Sequence, residues 1–127
     1  INDRLGHAAG DAVLCAVART LQLKAREVDR VARYGGEEFC VLLPHTLHDG
    51  GMQAAERLRE AVAHTSIPWN DEVISVSIST GLACAAEPGE TLQSLLTRAD
   101  EALYRAKAEG RNRVVASTAP IRNNRKA

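Results

Sequence analysis

Aromatic residues are scarce in this 127-residue sequence, in which phenylalanine, tyrosine and tryptophan together account for 3%. Because 45% of the residues are hydrophobic, a core has to be built from leucine, valine, isoleucine and alanine. Neither sign of charge dominates, since 16 basic residues balance 16 acidic ones, and this argues against nucleic acid as a partner. Length and composition favour one globular domain.

The sequence also lacks a long apolar run and a secretory signal, so it predicts a domain that works in the cytoplasm. Membrane attachment of a parent protein is expected to depend on a region outside this chain. The three cysteines, Cys15, Cys40 and Cys84, have no CxxC spacing, which argues against a zinc site or a disulfide framework. Their apolar neighbours predict small buried hydrophobes in a reducing compartment.

Hydrophobic periodicity predicts the order helix, strand, strand, helix, strand, helix, strand. Asp11 is expected in the first turn of the first helix, where the helix dipole stabilises a carboxylate. Residues 65–71 are expected to be a plain connection, and residues 117–127 a disordered tail. The predicted helices are 11–26, 49–64 and one from Thr91 to a stop at Gly110, and the predicted strands are 29–34, 39–43, 73–85 and 114–116.

This order is one strand short of a ferredoxin-like βαββαβ arrangement. The predicted fold class is therefore α/β (α+β), with a central, mostly antiparallel sheet that is flanked by helices and lacks its first strand. The third helix is expected to bury one apolar face. That face consists of Leu92, Leu95, Leu96, Ala99, Leu103 and Ala106.

The most informative segment is residues 33–39 (RYGGEEF), where a glycine pair and two carboxylates lie between two predicted strands. Glycine adopts positive φ at little cost and lets a ligand approach the backbone closely. Adjacent carboxylates repel each other unless a cation offsets their charge, which suits a divalent metal that holds nucleotide phosphates. A solvated hairpin without a ligand is the alternative, and this segment alone does not separate the two.

The sequence resembles the GGDEF family, the catalytic domains of diguanylate cyclases, in four blocks that occur in the family's order. GGEEF in place of GGDEF keeps both carboxylates. The resemblance covers residues 1–116 as one domain and implies the ferredoxin-like palm fold of nucleotidyl cyclases. The matching blocks are residues 1–11 (INDRLGHAAGD), 29–39 (DRVARYGGEEF), 77–81 (SISTG) and 99–112 (ADEALYRAKAEGRN).

The resemblance implies a diguanylate cyclase that condenses two GTP molecules into cyclic di-GMP and releases pyrophosphate. Two domains would face each other as a homodimer, each holding one GTP, downstream of a sensor or receiver domain. Glu37 and Glu38 are the implied catalytic and metal-binding residues, for Mg²⁺ or Mn²⁺. Arg33 is expected either to approach the phosphates or to pair with one of these carboxylates.

Asn2 and Asp11 are implied to bind guanine, because a carboxylate accepts from the N1–H and 2-amino groups that adenine lacks. A turn residue and a helix cap, respectively, are their alternative roles. His7 is expected either to touch the nucleotide or to support the loop. Lys107 and Arg111 are expected to share a helix face that binds the triphosphate. Their alternative role is to stabilise the end of the helix, because a positive charge there interacts favourably with the helix dipole. The implied nucleotide-binding set is Asn2, His7, Asp11, Gly35, Gly36, Lys107 and Arg111.

Arg26 and Asp29 match the family's RxxD motif for product binding, both in pattern and in spacing to the glycine pair. Arginine donates to O6 and N7 of guanine, and aspartate accepts from the Watson–Crick edge. Arg57 is implied to complete this inhibitory site, through which cyclic di-GMP would lock two domains in a non-productive arrangement. A surface ion pair is the alternative for RxxD.

The family's first strand, which carries a metal-binding aspartate and a phosphate-binding lysine, has no counterpart in this sequence. The chain alone is therefore expected to make little or no cyclic di-GMP. Two other functions stay open: a catalytically inactive GGDEF domain that binds cyclic di-GMP as an effector module, and a related cyclase for another triphosphate. The intact carboxylates favour catalysis, and Asn2 with Asp11 favours guanine.

Overall fold

A computed structural model describes residues 6–85 and 88–118, which form two compact units. The first contains residues 6–45 and 56–78, and the second contains residues 46–55, 79–85 and 88–118. The described structure is mixed α/β, as the sequence predicts, and none of its helices has the length and hydropathy to cross a membrane. Its elements are α1 (Gly6–Lys24), β1 (Arg30–Arg33), β2 (Phe39–Leu42), α2 (His48–Ala63), β3 (Ile67–Trp69), β4 (Glu72–Ile74), β5 (Thr80–Leu82), α3 (Leu92–Ala108) and β6 (Val114–Ala116).

Helix α1 packs against β1 and β3 in the first unit. Its buried residues Val13, Val17 and Leu21 recur at a four-residue spacing, which places them on one face of the helix. Val62 of α2 is 1% exposed in the same core, and burying a side chain of this kind stabilises a fold by about 1.5–3 kcal/mol. The core cluster consists of Val13, Val17, Leu21, Leu58, Val62 and Ile67.

Strands β1 and β2 form an antiparallel pair, with Arg30 opposite Leu42 and Arg33 opposite Phe39. The two predicted strands are confirmed, and their bounds differ from the prediction by one residue at three of four ends. The pair is held by apolar side chains on one face, because Val31, Phe39 and Val41 pack against the core. This register leaves residues 34–38 as the tip of the hairpin.

The connection predicted at residues 65–71 is wrong, because it contains the strand β3. Strand β3 pairs antiparallel with β4, and Trp69 lies opposite Glu72. Asn70 makes the turn at a φ of 54°, a left-handed conformation that asparagine tolerates better than most residues. Pro68 is compatible with this position because the ladder has two strands, so one edge of β3 needs no donor.

The single strand predicted at residues 73–85 is divided into β4 and β5. Alternation reports the burial of one face, whereas a strand also needs a hydrogen-bonded neighbour, and the described residues form no ladder with residues 75–79. The alternation itself is confirmed for the part that lies in the first unit. There the half-buried residues are Ile74, Val76 and Ile78, and the exposed ones are Ser75 and Ser77.

In the second unit α3 packs against β5 and β6, which pair in parallel with Thr80 opposite Val114. The predicted start of α3 is confirmed, because the Thr91 hydroxyl accepts from the N–H of Ser94 as an N-cap. Ser117 donates its N–H to the carbonyl oxygen of Leu82 at 2.7 Å, so the first residue of the expected tail is held in place. Residues 119–127 of that tail lie outside the described residues.

Three predictions about residues of the helices are wrong: two concern burial and one concerns the first turn of α1. Leu92 is 56% exposed at the start of α3, whereas Ala102 is fully buried. Cys15 is exposed on α1, because neighbours in sequence point in different directions around a helix and their apolarity does not bury it. Asp11 is not in the first turn, since α1 begins at Gly6.

Gly81 of β5 lies directly against the backbone of α3. A Cβ atom at this position would collide with the carbonyl oxygen of Ala99 and the backbone nitrogen of Leu103, and would lie 2.9 Å from the Cα of Leu103. We predict that Gly81→Ala lowers the free energy of unfolding by at least about 2 kcal/mol, because the helix backbone has to move. Urea denaturation followed by circular dichroism measures the change.

Gly36→Ala is the matched control, because a Cβ atom there would meet no atom within 4 Å. Its free energy of unfolding is expected to stay within about 0.5 kcal/mol of the parent value. Equal stability of the two variants would contradict the close packing of β5 on α3.

Candidate functional site

The hairpin between β1 and β2 is closed at its base by the carbonyl oxygen of Glu38. This oxygen accepts from the N–H of Tyr34 at 2.8 Å and from the N–H of Gly35 at 3.2 Å. The two bonds close the tip, residues 34–38, at the end of the ladder. Open space surrounds Gly36, so a ligand can approach the backbone of the tip closely.

Glu37 and Glu38 lie side by side at this tip but in different surroundings. Glu37 is exposed, whereas Glu38 is half-buried. The Glu38 side chain folds back beside Gly35, since a Cβ atom on that glycine would lie 3.9 Å from Glu38 Oε1. Glu37 is therefore the more accessible of the two carboxylates to a substrate.

The donor chemistry of this tip fits a hard divalent cation. Carboxylate oxygens suit Mg²⁺ and Mn²⁺, and Mg²⁺ commonly uses one or two carboxylates together with substrate phosphates and water. Within residues 6–85 and 88–118, no group of three or more histidine, cysteine, aspartate or glutamate side chains could hold a metal ion. The carboxylates of Glu37 and Glu38 are of the donor type that such a cation prefers.

Arg33 contacts the backbone of the tip. Its Nη2 donates to the carbonyl oxygen of Gly36 at 2.6 Å, and its Nε donates to the carbonyl oxygen of Gly35 at 3.3 Å. Among the described residues it forms no ion pair with Glu37 or Glu38, which was one of its two expected roles. Sequence reasoning missed this contact with the two glycine carbonyls.

Helix α1 presents His7 and Asp11 one turn apart, and both are exposed. Residues four positions apart lie on the same helix face, so these two side chains are available to one ligand. The alternative role of Asp11 as a helix cap is wrong, because the first turn of α1 contains no acidic residue. The guanine-binding role of Asn2 stays a prediction, since Asn2 lies outside the described residues.

Arg26 and Asp29 form a forked ion pair just before β1. Arg26 Nη2 and Nε donate to Asp29 Oδ1 at 2.8 and 3.0 Å, and the backbone N–H of Arg26 donates to Oδ2 at 2.8 Å. The Asp29 side chain is 2% exposed, whereas that of Arg26 is 47% exposed. Arg26 also donates to the carbonyl oxygen of Pro44 at 3.0 Å, which joins this pair to the end of β2.

The third residue of the implied product site, Arg57, lies near enough to the Arg26–Asp29 pair for its charge to act on Asp29. Hydrogen bonding from Arg26 holds the pKa of the Asp29 carboxyl below its usual range, and the positive charge of Arg57 contributes in the same direction. The same hydrogen bond raises the pKa of Arg26. Arg57 is exposed on α2, so two guanidinium groups face solvent near one buried carboxylate.

Lys107 and Arg111, the implied triphosphate ligands, lie at the end of α3 in the second unit. Lys107 is in the last turn of α3, where a positive charge interacts favourably with the negative end of the helix dipole. The prediction that both residues share a helix face is wrong, because α3 ends at Ala108 and Gly110 follows with a φ of 128°. Arg111 has a φ of 65°, so its backbone is left-handed and not helical.

The turn after α3 contains a second contact that sequence reasoning missed. Asn112 follows Arg111 with a φ of 48°, and a strained left-handed residue costs of order 1–3 kcal/mol. The backbone N–H of Asn112 donates to Ser79 Oγ at 3.3 Å, which ties this turn to the segment before β5. The sequence signal was the Gly110-Arg111-Asn112 run after a helix, because asparagine tolerates the left-handed region.

Comparison with known proteins identifies related domains. Residues 1–113 match a family model described as "Diguanylate cyclase, GGDEF domain". Diguanylate cyclase A of Treponema denticola is 46% identical over 117 residues, which are 92% of this chain and 32% of that protein. The chain thus spans about a third of the length of this curated relative.

Two solved structures resemble the described fold. Diguanylate cyclase SiaD of Pseudomonas aeruginosa, solved with its activator SiaC, has a TM-score of 0.87 at 38% identity, covering 92% of this chain and 45% of that one. The GGDEF domain of DgcB from Caulobacter crescentus, solved with c-di-GMP, has a TM-score of 0.83 at 36% identity, covering 91% of this chain and 68% of that one. The fold class predicted from the sequence is confirmed by these similarities.

The ion pair between Arg26 and Asp29 predicts how stability depends on pH. Because the pKa of Asp29 is lower in the folded state, its contribution is present above the unfolded pKa, about 3.9, and is lost as pH falls through the folded value. We expect Asp29→Asn to lower the free energy of unfolding at pH 7 by about 1–3 kcal/mol and to cost less near pH 3. Urea titrations at the two pH values measure this difference.

Asp71→Asn is the control for this experiment, because Asp71 is exposed at the turn between β3 and β4. Its effect on the free energy of unfolding is expected to be under about 0.5 kcal/mol at both pH values. A cost of Asp29→Asn that does not change with pH would contradict the ionised pair.

Proposed function

The chain belongs to the GGDEF family of diguanylate cyclase domains, and from this membership we propose that the whole protein converts two GTP molecules into cyclic di-GMP. In this reaction each 3′-hydroxyl attacks the α-phosphate of the other GTP. A new ester bond forms as the bond to pyrophosphate breaks, so two pyrophosphates leave. The observation that carries the proposal is the open hairpin tip, where Glu37 is exposed next to two glycine peptides.

Glu37 is the proposed acceptor of the proton from the attacking hydroxyl. A general base has to come within hydrogen-bond reach of the proton, and the exposed carboxylate at the open tip allows this. Glu38, half-buried beside Gly35, is the proposed second oxygen donor to a divalent cation. Such a cation, Mg²⁺ or Mn²⁺, would offset the charge that develops on the phosphates.

His7 and Asp11 are proposed to bind the guanine and ribose of GTP, together with Asn2. The exposed face of α1 that His7 and Asp11 share supports this assignment, because an exposed carboxylate can accept from the N1–H and 2-amino groups of guanine. Adenine would leave the carboxylate without these donors, so ATP is expected to compete poorly. A guanine nucleotide is therefore the proposed substrate.

Lys107 and Arg111 are proposed to anchor the triphosphate. Both are exposed, and Arg111 supplies a planar fork that matches phosphate oxygens, whereas Lys107 supplies a point charge. Because each GTP is attacked by the other, a single domain carries half of the reaction. The active form is therefore proposed to be a homodimer of these domains.

Arg26, Asp29 and Arg57 are proposed to bind the product and inhibit the enzyme. Buried Asp29 holds Arg26 through the fork, while the half-exposed Arg26 and the exposed Arg57 offer donors to O6 and N7 of guanine. The DgcB domain crystallised with c-di-GMP supports a product ligand for a domain of this kind. Inhibition would then follow from a site separate from the hairpin carboxylates.

Glu37→Gln in the full-length protein tests the proposed reaction. We expect cyclic di-GMP formation from GTP and Mg²⁺ to fall at least about 100-fold, because glutamine cannot accept the proton. Chromatographic measurement of product and pyrophosphate follows the loss. Glu101→Gln, which neutralises an exposed carboxylate on α3, is the control and should retain the parent rate.

A parent protein that binds cyclic di-GMP but makes none under these conditions would overturn the cyclase proposal. It would favour the effector-module function instead. Formation of cyclic di-GMP that survives Glu37→Gln at the parent rate would overturn the assigned role of Glu37 alone.

Substitution of two arginines of α2, Arg57 and Arg59, tests the proposed product site. Arg57 affects the charge around Asp29, whereas Arg59 pairs with Glu56. We expect Arg57→Ala to weaken inhibition by cyclic di-GMP about 10-fold or more with little change in the initial rate, since a charged hydrogen bond to the ligand is lost. Arg59→Ala should leave the inhibition constant unchanged, and equal effects of both variants would count against the site.

A further inference from the structure

Two nitrogens of the Arg33 guanidinium donate hydrogen bonds to neighbouring carbonyl groups of the hairpin tip. The contacts are Nη2 to Gly36 O at 2.6 Å and Nε to Gly35 O at 3.3 Å. A planar fork is suited to two acceptors that lie close together, whereas a lysine ammonium is a single point of attachment. Arg33 thus holds two successive peptide groups.

Holding these carbonyls also sets the direction of two N–H groups. The described peptide bonds include no cis bond, and in a planar trans peptide the N–H points opposite to the C=O. The peptides after Gly35 and Gly36 carry the N–H groups of Gly36 and Glu37, which must therefore point away from the guanidinium. Among the described residues these two N–H groups donate to no protein acceptor.

Without this contact little would restrain the tip. Glu38 O holds the N–H groups of Tyr34 and Gly35 at the base of the hairpin, but neither bond reaches the peptides on either side of Gly36. Glycine has the widest conformational freedom of any residue, and no atom lies within 4 Å of where a Gly36 Cβ would be. The side chain of Arg33 supplies the restraint that packing does not.

We propose that Arg33 is a positioning residue, which fixes the peptides of Gly35 and Gly36 so that the N–H of Glu37 and its carboxylate are presented in one orientation. This inference rests on the proposed function, because the orientation matters for a carboxylate that takes a proton during phosphoryl transfer. Arg33 acts through the hairpin and does not touch the substrate. A misplaced catalytic group costs up to about 100-fold in rate, so removing the restraint should affect turnover more than binding.

The test compares Arg33→Met with Arg30→Met in the full-length protein. Arg30 is the matched control because it lies on the same strand and donates to two carbonyls, Glu27 O and Asp29 O, each at 3.0 Å. For Arg33→Met we expect kcat to fall about 10- to 100-fold, while the Michaelis constant for GTP changes less than about threefold. Arg33→Lys should recover part of kcat, because one ammonium can hold one carbonyl.

Hydrogen exchange of the peptide spanning residues 33–39 supplies a readout that does not depend on catalysis. The amides of Tyr34 and Gly35 are hydrogen-bonded to Glu38 O, and a looser tip should make them exchange about 10-fold faster in Arg33→Met. Exchange in Arg30→Met should match the parent protein. The comparison is made after correction for the effect of the substituted neighbour on intrinsic exchange rates.

Two results would overturn the inference. Unchanged exchange in Arg33→Met would show that the tip does not need this side chain. A Michaelis constant for GTP that rises about 10-fold or more at constant kcat would show that Arg33 binds phosphate directly. An inactive parent protein is a different result, because it overturns the proposed function and removes the catalytic consequence drawn for Arg33. The exchange measurement distinguishes the two failures.

Discussion

The antiparallel register of β1 and β2 is the constraint on which the described site depends. With Arg33 opposite Phe39, residues 34–38 must form the tip, and a shift of one strand by one residue would exchange the two faces of that strand. The apolar residues Val31 and Val41 resist such a shift because they pack against the core. Burial of one face of a short hairpin thereby decides where Glu37 emerges.

Two groups of acidic side chains near this hairpin differ in how their negative charge is stabilised. The Asp29 carboxylate is buried, and the fork of Arg26 with its backbone N–H supplies donors to both oxygens. Glu37 and Glu38 are neighbours at a solvated tip, where repulsion between two charges at close range amounts to only about 1 kcal/mol. A buried acid needs its partner within the fold, whereas the exposed carboxylate of Glu37 is stabilised by water.

Much of the fold could be predicted because it is local. The helices follow from periodicity and from the cap at Thr91, and the hairpin follows from two apolar strands around a glycine pair. Prediction failed where a pattern had more than one structural meaning. The alternation after residue 73 was correct as a burial pattern for residues 74–78 but wrong as one strand, since β4 pairs with the adjacent β3 whereas β5 pairs with the distant β6. The turn at Asn70 was overlooked although its residue type favours it.

The sequence by itself determined the residue types of the candidate site, because the carboxylates, glycines and basic residues occur in short motifs at set spacings. It also determined that Arg26 can pair with Asp29, since the two are three positions apart in a turn. Only the tertiary structure decided that Asp29 is buried while Glu37 is exposed, and that Arg33 binds the carbonyls of the tip. These outcomes depend on backbone direction and on packing between distant segments, which residue order does not specify.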